Sequence, residues 1–298
     1  MEMSEKERRD VKRREIGTAM QDAVEVIGEQ RCIQSMVNAL PGACQSGDWR
    51  QIEALLFALE SIAVVSGRVK TEMAAALFQA LGALPDQIAV QSAMCGCLAS
   101  YSTWLPTWHE QTGVEPLPTL LPVIFKNLTS PDWAAAAVDA MVALCRSCRS
   151  QLPVHAAELL ELHRRLILAA NAYHQWTAPV EDFVMKESEA IDIMGALYQG
   201  MTKSHDNQVA TQFITTVSEG ILKDLASAIE SSQASLAAAE TKLVVLVTRL
   251  KTLFRNCAIR DLTGQLLGQF LKPFVQWTDV FFRRSVFRPT SVGESGFQ

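Results

Sequence analysis

The chain has 298 residues, of which 49% are hydrophobic, 7% aromatic and 20% charged, with a net charge of −5. That length allows a large buried interior, the Ala- and Leu-rich balance favours packed helices over sheets, and a mildly acidic chain lacks the basic face that phosphate contacts need, so no nucleic-acid partner is expected. Seven scattered cysteines fit a reducing compartment better than a disulfide framework. Residues 1–15 are charged with no apolar run after them, and no uncharged stretch nears 20 residues, so neither a signal peptide nor a membrane span is expected.

The first fifteen residues mix six positive with five negative charges, the composition of a solvated helix surface. Apolar periodicity begins at Ile16 and runs through Ala19, Ala23, Val26 and Ile27 to a break at Gly28. Cys32, Ile33, Met36, Val37 and Leu40 form the face of a second helix, predicted to close at Pro41-Gly42. Ser46 or Asp48 can cap the next helix, whose Ile52, Leu55, Leu56, Leu59, Ile62 and Ala63 follow a one-sided helical rhythm ending at Ser66-Gly67. A partner spans about 70–84, Pro85-Asp86 opens a helix towards Trp104, and 105–118 reads as a loop before a short helix to about Leu128. Helices follow over 133–151 and 155–169, then a loop over 171–184, then helices near 185–201, 206–230, 236–256 and 262–284. Residues 286–298 are expected to be a disordered tail.

One tetrapeptide pattern organises this series. Ser46-Gly47-Asp48-Trp49 and Ser130-Pro131-Asp132-Trp133 each open a helical run and lie 84 residues apart, two steps of about 42. That period is the signature of HEAT or armadillo helical hairpins, which bury their apolar faces only against neighbouring hairpins. The expected fold is therefore all-α: a solenoid of antiparallel helix pairs over 1–285, wound as a right-handed superhelix of about five to six repeats. Asp48, Trp49, Asp132 and Trp133 are its repeat anchors, as are Cys145 and Cys148, which fall on one apolar stripe where cysteine acts as a small hydrophobe.

The motifs of chemistry are missing from this sequence. There is no Gly-rich phosphate loop after a strand, no H-E-x-x-H and no G-x-S-x-G. Cys145-x-x-Cys148 with His155 lacks the second ligand pair that zinc would need, and the five histidines sit in separate hairpins or loops. Trp104 and Trp108 flank Pro106 and read as packing anchors, with exposed stacking as the other reading. No catalytic, cofactor-binding or metal-binding residue is assigned, and no enzyme activity is expected. The partner-binding candidates are charges on the second helix of each hairpin: Glu72, Glu158 and Glu161, and Glu219 with Lys223.

Three stretches resemble the importin-β superfamily of nuclear transport receptors, nearest the transportin-SR and importin-13 branch. They are Asp48-Trp49 with Ile52 to Ala63, then Ala134–Ala137 with Ala140 and Leu144 to Arg149, and Lys242-Leu243 to Leu253-Phe254-Arg255-Asn256. Val26-Ile27-Gly28 before Cys32 is similar to an earlier helix pair, so the resemblance covers about residues 10–256, the central portion of such a receptor. It implies a scaffold that shuttles between cytoplasm and nucleus, holding protein cargo (Arg-Ser-rich or basic proteins) on a concave helical surface and touching nucleoporins. The amino-terminal repeats that grip the GTPase Ran in this family have no counterpart here, so the resemblance implies no Ran contact by this stretch. The residues leave a second reading open: a HEAT scaffold outside transport, such as a regulatory subunit of a phosphatase-type assembly.

Overall fold

A computed structural model describes residues 5–63, 71–129, 134–179, 183–232 and 236–259, with positions 262, 264–268, 271 and 275 beyond them. The described residues form an all-α solenoid with no strand. They fall into two compact units, Met1–Ala210 and Thr211–Gln298.

In the first unit, α1 (Glu5–Ile27) and α2 (Glu29–Ser46) meet at Gly28, the break read from the sequence. Helix α3 (Trp49–Ala63) starts where the Asp48 carboxylate accepts the Arg50 amide at 3.0 Å, so Asp48 is the cap and satisfies one of the free amides of the first turn. Then come α4 (Thr71–Gly82), α5 (Ile88–Tyr101), α6 (Leu105–Thr112), α7 (Leu117–Leu128), α8 (Ala134–Ser147), α9 (Ala156–Tyr173) and α10 (Glu187–Thr202). Short 3₁₀ turns, Ser102–Trp104 and Leu152–His155, lead into α6 and α9.

Several boundaries differ from the sequence reading. Helix α8 ends at Ser147, short of the expected 151, and α9 runs to Tyr173, past the expected 169. Helix α2 does not stop at Pro41-Gly42: it runs through Pro41 to Ser46, buries Ala43, and ends at Gly47, whose φ of 71° supplies the left-handed cap. Residues 105–112 are helix and not loop. Pro106 stands at the second helical position, where its missing N–H would have had no partner anyway, and Gly113 closes α6 at φ 69°. The Ser66-Gly67 stop and most of the expected 262–284 helix lie outside the described residues.

The helices of this unit pack in two rows. Helices α1, α3, α5, α8 and α10 contact one another in succession, while α2, α4 and α6 form a second line, and α2, α7 and α9 back the first row. Bonds between successive first-row members carry the repeat period. Gln21 Nε2 donates to the Ser61 carbonyl at 2.9 Å, 40 residues on, and Arg13 pairs with Glu53 at the same separation. Cys97 Sγ donates to the Leu56 carbonyl at 3.0 Å (41 residues) and Tyr101 Oη to the Leu59 carbonyl at 2.7 Å (42 residues). Ser147 and Ser102 hydroxyls meet at 3.1 Å across 45 residues.

First-row helices need more than one apolar face. In α5, Val90, Met94, Cys95, Cys97, Leu98 and Tyr101 are all buried, pointing in several directions because α3, α7 and α8 surround it. In α8, the small residues Ala134, Ala137 and Ala140 let the backbones of its neighbours come close. At Gly200 of α10 the two backbones come close: a Cβ there would stand 2.6 Å from the Cys145 carbonyl oxygen.

The row also carries a strained charge. Glu60 of α3 is half-buried, and an added Cβ at Gly96 of α5 would lie 2.7 Å from its carboxylate. Burial is the largest influence on this carboxyl and raises its pKa above 4.5; Arg13 opposes the shift, while Asp139 and Glu53 add to it. A carboxyl raised on folding stabilises below its unfolded value, and that contribution is lost as pH climbs through the folded value. Glu60→Gln is therefore expected to melt higher than wild type at neutral pH, the gap closing as pH falls towards 4.5. Melting curves over about pH 4 to 8 test this, and a gap that widens on acidification refutes it.

The second unit takes in most of α11 (Asn207–Ser232) and all of α12 (Leu236–Asn256). Phe213, Ile214, Val217, Ile221, Leu225 and Ala228 are the buried stripe of α11, and Leu243, Leu246, Leu250 and Leu253 that of α12.

Candidate functional site

The predicted partner-binding charges separate into three situations. Glu158 and Glu161 lie on one exposed face of α9, and both are already engaged. His155 Nδ1 is 2.8 Å from Glu158, and the Arg164 guanidinium donates twice to Glu161, at 2.8 and 2.6 Å. Arg164's hydrogen bonds are the main reason the Glu161 carboxyl sits below its ordinary range. Glu219 and Lys223 are exposed on α11, in the second unit. Glu72 lies in the first turn of α4, and its side chain is outside the described residues.

The repeat anchors divide in the same way. Asp48 is exposed and caps α3, while Trp49 is half-buried at its first position with the Arg50 guanidinium 4.7 Å above its ring. Asp132 and Trp133 lie outside the described residues. Cys145 and Cys148 are fully buried. Burial is the first cause that raises both thiols, with Cys148 pushed up to about 12, so neither forms a thiolate near neutral pH. Among the described residues no group of three or more His, Cys, Asp and Glu could hold a metal ion, and no helix is long and apolar enough to cross a membrane.

The structure adds a site that the sequence did not disclose. A cavity of about 570 Å³ opens between α4, α6 and α7, walled by Ala75, Phe78, Trp108, Val114 and Leu120, with Glu115 among its lining residues. The Phe78 and Trp108 rings stand 5.5 Å apart at 39°, a tilted aromatic pair bridging α4 and α6. Trp104 does not join them; its ring packs edge-on against Tyr101 at 4.4 Å. Trp108 is half-buried, and its indole Nε1 has no hydrogen-bond partner among the described residues. Glu115 keeps 42% of its side chain exposed, 3.5 Å from His109 Nε2. Reading 105–118 as a loop hid this cavity; the available signal was a proline near the start and a glycine just after the end of an eight-residue stretch.

Such a cavity has room for an apolar side chain. The chain is 27% identical over 158 residues to Transportin MOS14 of Arabidopsis thaliana, which covers 51% of this chain and 16% of the transportin. It is 26% identical over 153 residues to an uncharacterized protein of Schizosaccharomyces pombe, covering 49% of this chain and 16% of that protein. About half of this chain is thus karyopherin-like. The chain spans only a small part of the length of both relatives. No protein-family model matches it.

Proposed function

We propose that this chain is a scaffold segment of a nuclear import receptor, on the transportin-SR and importin-13 branch of the importin-β superfamily. It binds protein cargo through helices outside the first row, and it carries out no reaction of its own. Its cargo is basic or Arg-Ser-rich protein, it meets nucleoporins, and it moves between cytoplasm and nucleus. The observation that carries this reading is the similarity of half the chain to a transportin, joined to a two-row helical packing whose bonds repeat every 40 to 45 residues. Stacked hairpins of that kind offer long surfaces for other proteins. The acidic balance of −5 suits basic cargo.

Retention of purified protein segments on the immobilised chain tests the proposal. An Arg-Ser-repeat segment is expected to be held, with affinity falling as salt rises, and an acidic segment of equal length is not. Stable capture of a purified phosphatase catalytic subunit, with no retention of the Arg-Ser segment, overturns the transport reading in favour of a regulatory scaffold.

A further inference from the structure

We propose that the cavity between α4, α6 and α7 is a peptide-docking site for a basic protein segment. It takes one bulky apolar side chain, with a flanking lysine or arginine lying against Glu115. The inference rests on the binding-scaffold reading and narrows it to one place and one ligand chemistry.

Two observations converge on it. The cavity has the volume of a small-ligand pocket, and its walls are an aromatic pair and aliphatic side chains, which favour an apolar group driven out of water. Its setting is acidic. Of the described residues that line it, Glu115 is the one that carries a charge, and its carboxylate is 42% exposed, with the His109 imidazole as its neighbour. A basic segment is therefore attracted here and an acidic one repelled.

The face of α9 offers a contrast. Its carboxylate Glu161 is held by the fixed cation Arg164 of the same chain, so a basic ligand would have to displace an existing partner there. At the cavity, the apolar walls supply affinity and the acidic rim supplies sign.

The test uses the whole chain, labelled with ¹⁵N in its tryptophans, and a synthetic amidated octapeptide with Leu-Trp at its centre and two lysines on each side. The Trp108 indole resonance, assigned by its loss in Trp108→Phe, is expected to shift saturably. Replacing Leu-Trp by Ala-Ala, or the lysines by glutamates, should each weaken binding at least about tenfold. Thr112→Trp, which fills the cavity from an exposed rim position, should abolish the shift of that resonance. Glu115→Lys should weaken the lysine peptide about fivefold or more, and it carries the test if Thr112→Trp does not melt as wild type does.

An unmoved Trp108 signal, or equal binding of the lysine and glutamate peptides, overturns the inference. Retention of an Arg-Ser segment equally by wild type and Thr112→Trp also refutes the cavity as the docking site, while leaving the transport reading standing. Peptide docking as described, without any retention of Arg-Ser protein, keeps the cavity and removes the transport reading.

Discussion

Gly200→Ala is expected to destabilise the first unit by about 1–3 kcal/mol, although the same change in an ordinary helix stabilises. The added Cβ would stand 2.6 Å from the Cys145 carbonyl oxygen and 2.5 Å from a Leu152 methyl. The methyl can swing aside; the carbonyl belongs to the backbone of α8 and cannot move without shifting that helix. Gain of helix propensity, about 1 kcal/mol, opposes the clash but does not cancel a displacement of two packed helices. Gly42→Ala is the internal control. It lies inside α2 with nothing within 4 Å of the added Cβ, so it should stabilise by about 0.4–1 kcal/mol. Opposite signs for the two substitutions in urea titrations confirm the close approach of α8 and α10. Stabilisation by both refutes that close approach.

The contrast between these glycines also explains which parts of the fold could be read from the chain. The start and the apolar face of helix α3 are legible in the sequence. Asp48 caps it, and Ile52, Leu56, Leu59 and Ile62 are buried at helical spacing, because this helix has a single strong apolar side. Helix α5 shows no such stripe: with α3, α7 and α8 around it, apolar residues point in several directions and only its length and flanks mark it. Helix α6 was lost because Pro106 and Gly113 are common loop residues, and only their order, proline near the start and glycine after the end, distinguishes a capped helix from a turn.

The candidate site was less legible than the fold for a related reason. Its walls come from α4, α6 and α7, and Ala75, Phe78 and Leu120 are residue types that read as ordinary core. Nothing local distinguishes a side chain lining a cavity from one filling it; the difference lies in how three helices diverge. The charges chosen from sequence were visible for the opposite reason, since exposed glutamates on a helix stand out. What sequence did not weigh was the partner one turn away: Arg164 at i+3 satisfies Glu161, and His155 at i−3 meets Glu158.

Leu144→Ala is expected to cost about 2–5 kcal/mol, and its pattern says more than its size. Leu144 is fully buried in α8, the helix that touches both α5 and α10 and is backed by α7. In a stack of hairpins, stability is close to a sum of each repeat and its interfaces with its neighbours. Removing a side chain at the middle of the row therefore weakens two interfaces at once, whereas Leu40→Ala in α2, also buried, strikes a helix of the backing line. Hydrogen exchange distinguishes the two outcomes. Leu144→Ala should speed exchange in α5 and α10 together with α8, while Leu40→Ala should act mainly on α2, α3 and α4. Faster exchange confined to α8 would mean that the row does not transmit the loss, and that each helix is held by its own hairpin and not by the stack.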